Sequence, residues 1–280
     1  MQLPQQPRRN LVILRAGDSS LHPAWVADPQ RNFDLLVSYY GKTEGMHADS
    51  CDIYERRPGP KWPCIGELLA EHPELIDRYE AVWLPDDDLA ADTATLNQMF
   101  ELFHAYRLQL AQPALTRNSY FTFATLLQKP DTVLRFVGFV EVMAPLFSQA
   151  ALRKCVETFT MSRIGWGLDF VWPSIIGNAS RREIGILDAT PVHHTRPVRG
   201  GDLYKNNAGA SPFEDEARVL ARYGQQATRF RAKYEYHAQV RVCPPSLLDR
   251  LNLFLRYLNA QRRWRRKQRR DARGAGGTAH

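Results

Sequence analysis

YEAVWLPDDDLA, residues Tyr79 to Ala90, sets three consecutive aspartates directly after an apolar run. Like charges bunched against a core repel one another and lose solvation, so something has to compensate: open solvent, basic partners or a divalent cation. The apolar part, AVWLP, reads as a short buried strand, which puts the aspartates at its C-terminal end. Strand faces alternate, so Asp86 and Asp88 point one way and Asp87 another. In open α/β sheets ligands bind beyond the carboxyl ends of the strands. Two carboxylates on one side there suit Mg²⁺ or Mn²⁺ held together with substrate phosphates. A bare triplet of aspartates is equally readable as a solvated acidic loop.

Working outward, two runs closed by glycine, NLVILRAG (Asn10 to Gly17) and FDLLVSYYG (Phe33 to Gly41), read as earlier buried strands. CIGELLAEHPELIDRY, from Cys64 to Tyr79, reads as helix with a new turn beginning at Pro73. After the aspartates, Asp92 or Thr93 can cap a helix with Leu96, Met99, Phe100, Phe103 and Leu110 on its apolar side. TVLRFVGFVEVMAPLF, Thr132 to Phe147, is rich in β-branched and aromatic residues and reads as strand, followed by a helix near Ser148 to Thr158. Ile184 to Leu187 is a further strand, leading into His193 and His194. This rhythm predicts an α/β fold, a mostly parallel central sheet flanked by helices. A single catalytic domain over residues 1–240 is expected, with a C-terminal amphipathic helix and basic tail over 241–280.

The chain has 280 residues, enough for a substantial core. No stretch reaches the roughly 18 apolar residues of a membrane span. The start, MQLPQQPRRN, lacks the apolar region of a cleaved signal. Cys51, Cys64, Cys155 and Cys243 show no paired spacing and read as free thiols, so a cytoplasmic location is expected. Of 37 Lys and Arg and 30 Asp and Glu, residues 261–280 hold eight and one, leaving 29 of each in the rest. The basic balance therefore belongs to a tail, and a specific nucleic-acid surface on the body is not expected. The segment from Ser246 to Arg270 starts with a capping pattern and carries leucines at helical spacing. It reads as a helix packed on the body with a solvated basic end, or as a contact with anionic lipid at the inner face of a membrane.

Two later features bear on the aspartates. GWGLD, Gly165 to Asp169, joins glycines that permit close backbone approach to an aromatic and a carboxylate; alone it is also a turn into a buried helix with Trp166 and Trp172 as core. The pair His193–His194 follows an apolar strand and precedes Thr195, Arg196, Arg199 and Lys205. Histidine ligates Mn²⁺ beside carboxylates, and basic residues suit a diphosphate; an isolated pair can equally be a surface or core histidine. Arg15, Gly17 and Asp18 end the first strand, either as a nucleotide contact or as a glycine turn with a capping aspartate.

The order of these elements resembles GT-A nucleotide-sugar glycosyltransferases, with a DxD motif, a late Trp-Gly-x-acid element and a C-terminal histidine ligand. The phrases RAGDSSLHPAW, RNFDLLVSYYG, WLPDDDL, LQLAQPALT, GWGLDFVWP and DATPVHHTRPV look like a domain-of-unknown-function family shared by bacteria and plants. Its plant members are labelled lysine-ketoglutarate-reductase trans-splicing related. The resemblance implies a metal-dependent transfer of sugar from a nucleotide-sugar donor to a carbohydrate or lipid-linked acceptor. It implies Asp88 as a ligand of Mn²⁺ or Mg²⁺, Asp86 as a ligand through water or a ribose contact, and Asp87 as reaching the ribose. His194 would be the third ligand, with His193 the alternative. Asp169 would be the base of an inverting reaction, although inverting members often have consecutive acids where this chain reads Gly-Leu-Asp-Phe. Arg15, Gly17, Asp18 and Arg196 would meet the nucleotide. The segment after the histidines, with Gly200 and Gly201, would close over the donor. The rivals are a nucleotidyltransferase or pyrophosphohydrolase using the same carboxylates, and a non-catalytic nucleotide- or sugar-binding module.

Overall fold

The computed structural model describes residues 1–197, 211–223, 236–242 and 255. The chain divides into two units, Met1–Arg241 and Val242–His280. Apart from residue 255, the helix expected from Ser246 lies outside the described residues, as do the basic tail and the segment around Gly200 and Gly201. Of the four cysteines, the three described are free thiols. No helix among the described residues is long and apolar enough to cross a membrane.

The first unit is built on a mixed sheet. Its strands are β1 (Asn10–Ala16), β2 (Phe33–Tyr39), β3 (Ile53–Arg56), β4 (Ala81–Trp83), β5 (Leu89–Ala90), β6 (Leu110–Leu115), β7 (Thr132–Val137), β8 (Leu146–Ser148), β9 (Ile184–His194) and β10 (Tyr236–Arg241). They lie in the order β10-β7-β9-β6-β8-β4-β1-β2-β3, with β5 paired to β9 off this path. The β3, β2, β1 and β4 pairings are parallel, as is β6 with β9, whereas β8 and β7 run against their neighbours. The main path is therefore mostly parallel in direction, and the C-terminal ends of β1, β4, β6 and β9 emerge at one edge. The reason lies in composition: β1 and β2 are buried along their whole length, as strands covered on both faces must be.

Helices cover the sheet: α1 (Lys61–Glu71), α2 (Glu74–Asp77), α3 (Thr93–Ala105), α4 (Gln149–Cys155), α5 (Leu168–Ile176) and α6 (Pro212–Tyr223). Asp92 caps α3 by accepting from Thr95 N at 2.7 Å, and Leu96, Met99, Phe100 and Phe103 are buried beneath it. Ser148 caps α4 in the same way, accepting from Ala151 N at 3.1 Å. Trp62, Phe147, Phe159 and Trp172 interlock under α1 and α5, with Trp62 and Trp172 centroids 5.1 Å apart.

Three strands depart from the sequence expectation. Leu110 belongs to β6 and not to the apolar side of α3, because the chain turns at Arg107, which takes a φ of 52°. Pro113 sits inside β6, where a proline argues against a central strand; a register irregularity between Pro113 and Leu115 accommodates it. β3 is a partly exposed edge strand with mixed polarity, which masks its periodicity. β9 runs on past Leu187 to His194, so the histidines are strand residues.

Candidate active site

The short β5 strand explains how the aspartates and histidines meet. β5 pairs antiparallel with the end of β9, with Leu89 opposite His194 and Ala90 opposite His193. Asp88 O accepts from Thr195 N at 3.1 Å and Thr195 Oγ1 at 2.8 Å, which fixes the register. His194 is buried and its Nε2 stands 3.2 Å from Asp88 Oδ2, whereas His193 alternates away from this side.

His194 is also held from behind. Its Nδ1 lies 2.7 Å from Tyr120 O, so Nδ1 carries a proton and donates it to that carbonyl. Its backbone N donates to Ser119 Oγ at 3.1 Å, and Tyr120 N donates to His194 O at 3.1 Å. This is the outer bonding that fixes the orientation of a metal-binding imidazole and leaves Nε2 to face a ligand. Burial lowers the His194 pKa, but the bond and charge of Asp88, the Tyr120 carbonyl and Asp86 outweigh it and lift it to about 9. Asp88 is 7% exposed, and its Oδ1 is buried with no hydrogen-bond partner. An unpartnered carboxylate oxygen beside an oriented imidazole fits a divalent cation as third party.

Asp86 does not complete a ligand trio. Its Oδ1 accepts from Lys61 Nζ at 2.7 Å. No group of three or more His, Cys, Asp and Glu side chains among the described residues is arranged to hold a metal ion. The expected trio of Asp86, Asp88 and His194 is therefore brought together as a pair, with Asp86 turned to an ammonium.

Asp87 has a different part from its neighbours. Its Oδ2 accepts from Gly17 N at 2.7 Å and Tyr40 Oη at 3.3 Å, and its Oδ1 accepts from Arg196 Nη1 at 2.8 Å. Arg196 Nη2 continues to Ser19 O at 2.7 Å and Ser19 Oγ at 3.0 Å. Leu21 N donates to Asp87 O at 2.8 Å. Asp87 and Arg196 thus clamp the β1 end to the β4 end, and both carboxylate oxygens are engaged within the protein. Burial raises the Asp87 pKa against the pull of Gly17 N–H and Arg196. Gly17 is required by space, since a Cβ there would lie 2.6 Å from Tyr40 Oη.

Arg15 is buried and donates to Ser38 Oγ at 2.6 Å, Arg57 O at 2.6 Å and Gly59 O at 3.0 Å. Burial depresses its pKa. Its guanidinium braces the segment leading into α1. Asp18 lies exposed and accepts from Tyr39 Oη.

Asp169 stands in the first turn of α5, and the two glycines before it are structural requirements. Gly165 has φ 92° and a Cβ there would strike the Trp62 indole; Gly167 has φ 94° and a Cβ would lie 3.0 Å from Glu216 Cα. Asp215 ties this turn to α6, accepting from Ser162 Oγ at 3.1 Å and Ile164 N at 3.0 Å. Asp169 is 5% exposed and its Oδ1 has no hydrogen-bond partner. Burial, then the charges of Glu141 and Glu216, hold its carboxyl well above the usual range.

Two residues here went unread in the sequence. Glu141, buried in the β7–β8 connection, has its pKa raised by burial to about 7 against a Thr122 bond and the charges of His194 and Lys61. Glu141 and Arg135 are the two charges in the apolar run Thr132–Phe147, and a carboxylate in such a run calls for a role. Arg135 has one in packing, a buried bidentate pair with Asp188 at 2.8 and 3.0 Å. Lys61 had no sequence signal.

Residues 135–239 match a family described as a protein of unknown function (DUF707). That stretch holds Glu141, Asp169 and His194 but not the three aspartates. No curated protein matches the chain in sequence. Among solved structures, GalNAc-T7 with UDP, GalNAc and Mn²⁺ is similar at a TM-score of 0.54 and 10% identity, over 88% of this chain and 54% of that one. Glucosyl-3-phosphoglycerate synthase from Mycobacterium tuberculosis, with Mn²⁺, UDP-glucose and phosphoglyceric acid, aligns at 0.49 and 16% identity, over 78% and 80%. The chain has the GT-A glycosyltransferase fold.

Proposed function

We propose that the protein transfers a glycosyl group from a nucleoside-diphosphate sugar to a hydroxyl acceptor, with Mn²⁺ or Mg²⁺ bound at Asp88 and His194. The observation that carries this reading is the Asp88–His194 pair at the C-terminal edge of the sheet, with an unpartnered buried oxygen on Asp88 and a carbonyl behind His194. When bound, the cation neutralises charge developing on the departing diphosphate.

This chain's own residues do the rest. The Asp87–Arg196 clamp shapes the nucleotide side by holding residues 17–21 against the aspartate loop. Gly17 and Asp18 form the rim that the nucleotide meets, and Arg15 supports it from below. On the acceptor side, the hydroxyl proton passes to the Glu141–Asp169 pair as the sugar carbon leaves the diphosphate oxygen and bonds to the acceptor oxygen. Asp169 supplies the unpartnered oxygen, and Glu141 supplies a carboxyl that ionises near neutrality. Charge repulsion between the two favours one shared proton.

The test is incubation with a panel of nucleoside-diphosphate sugars and Mn²⁺, following release of nucleoside diphosphate with and without saccharide acceptors. The expected result is slow release from one donor, acceleration by acceptor, and loss of both in Asp88→Asn. Rapid acceptor-independent release of nucleoside monophosphate, or no turnover of any donor, would contradict it.

A further inference from the structure

Lys61 is the first residue of α1, where the unpaired N–H groups of the helix make a cation unfavourable. Its side chain is nevertheless 8% exposed. Nζ donates to Asp86 Oδ1 at 2.7 Å, Val142 O at 3.1 Å and Met143 O at 3.1 Å. An ammonium has three protons, so these acceptors satisfy it completely. A buried ammonium deprived of its carboxylate would be strongly destabilising. Asp86 is its one anionic partner among these three.

The same contacts fix a turn. Asp86 N donates to Met143 O at 2.8 Å, and Leu84 N donates to Pro145 O at 2.9 Å. Glu141 N donates to Gln112 Oε1. The turn that carries Glu141 is therefore stapled to the aspartate loop through Lys61.

We propose that Lys61 is a resident counter-ion for Asp86, so that Asp88 and His194 are the protein's whole cation site while Asp86 serves, through Lys61, to position the Glu141 turn. This rests on the cation reading above and assigns Asp86 and Lys61 within it. A cation shared with Asp86 would either pull that carboxylate from a buried ammonium or bring two positive charges together, and both are costly.

The test is calorimetric titration of the full chain with Mn²⁺ alone. Asp88→Asn is expected to abolish binding, whereas the Lys61→Met/Asp86→Asn double variant, which removes the ion pair without orphaning the ammonium, leaves affinity within about threefold of wild type. Lys61→Met frees Asp86 to join the site and is expected to tighten Mn²⁺ binding about tenfold, since affinity follows the number of charged ligands. That gain disappears in the Lys61→Met/Asp86→Asn double variant, whose paired loss also guards against a Lys61→Met chain that fails to fold. Lys61→Arg restores wild-type affinity. Wild-type binding that the folded Lys61→Met/Asp86→Asn double variant loses overturns this proposal alone, and absence of Mn²⁺ binding by wild type overturns it together with the cation reading.

Discussion

Glu141→Gln offers a quantitative check on the buried acidic pair. Glu141 is 9% exposed and its pKa rises from 4.5 to about 7, chiefly through burial. A raised carboxyl pKa means that the folded protein keeps a proton that the unfolded chain releases between pH 4.5 and 7. Stability is therefore lost as pH rises through that window, and remains lower above it. At 1.36 kcal/mol per pKa unit, the ionised Glu141 costs the fold about 3 kcal/mol at pH 8. Glutamine keeps the shape and the Thr122 partner without the charge. The variant should match wild type near pH 4 and exceed it at pH 8 by about 3 kcal/mol, and easier ionisation of Asp169 beside a neutral side chain widens that gap further. Urea unfolding followed by tryptophan fluorescence, in EDTA to exclude bound cations, measures the gap from pH 4 to 8. A gap that does not change with pH, or a variant weaker than wild type at pH 8, would refute the argument. The same variant should lose transfer activity, because the stability penalty is strain held at a working site.

Further outcomes follow from the same geometry. His194 titrates at about 9 without a cation, so Mn²⁺ must displace a proton from Nε2. Apparent Mn²⁺ affinity should rise about tenfold per pH unit between pH 7 and 8.5, with about one proton released in calorimetry across buffers of different ionisation enthalpy; a flat profile would place the cation elsewhere. Asp87→Ala leaves Gly17 N–H and the Arg196 guanidinium without their acceptor and should cost about 2 kcal/mol of stability by chemical denaturation. Were Asp87 merely a ribose contact, stability would be unchanged and nucleotide affinity alone would fall.

Much of this site could be read from the chain because its signals are local. Apolar runs leading to Gly17, to Asp86–Asp88 and towards the histidine pair announce strands whose ends gather at one edge, and alternation separates Asp87 from its neighbours. The glycines around Trp166 announced a tight approach, which the Trp62 indole and α6 supply. What stayed hidden depends on contacts across the fold. Lys61 reaches Asp86 over 25 residues and Met143 over 82, and no periodicity records such a pairing. Arg15 looked like a nucleotide contact by position, but its three acceptors come from β2 and the segment before α1. β6 was obscured by Pro113 and Gln112, both buried, where a central strand seldom carries either.

In the proposed reaction Asp88 and His194 hold a cation that binds the donor's diphosphate. The most direct measurement is calorimetric binding of a panel of nucleoside diphosphates, with and without Mn²⁺, to wild type and Asp88→Ala. One nucleotide is expected to bind, only with Mn²⁺ present, and Asp88→Ala is expected to remove that binding while the variant remains folded by circular dichroism. Binding that ignores both the metal and the substitution, or no binding by any nucleotide, would contradict it.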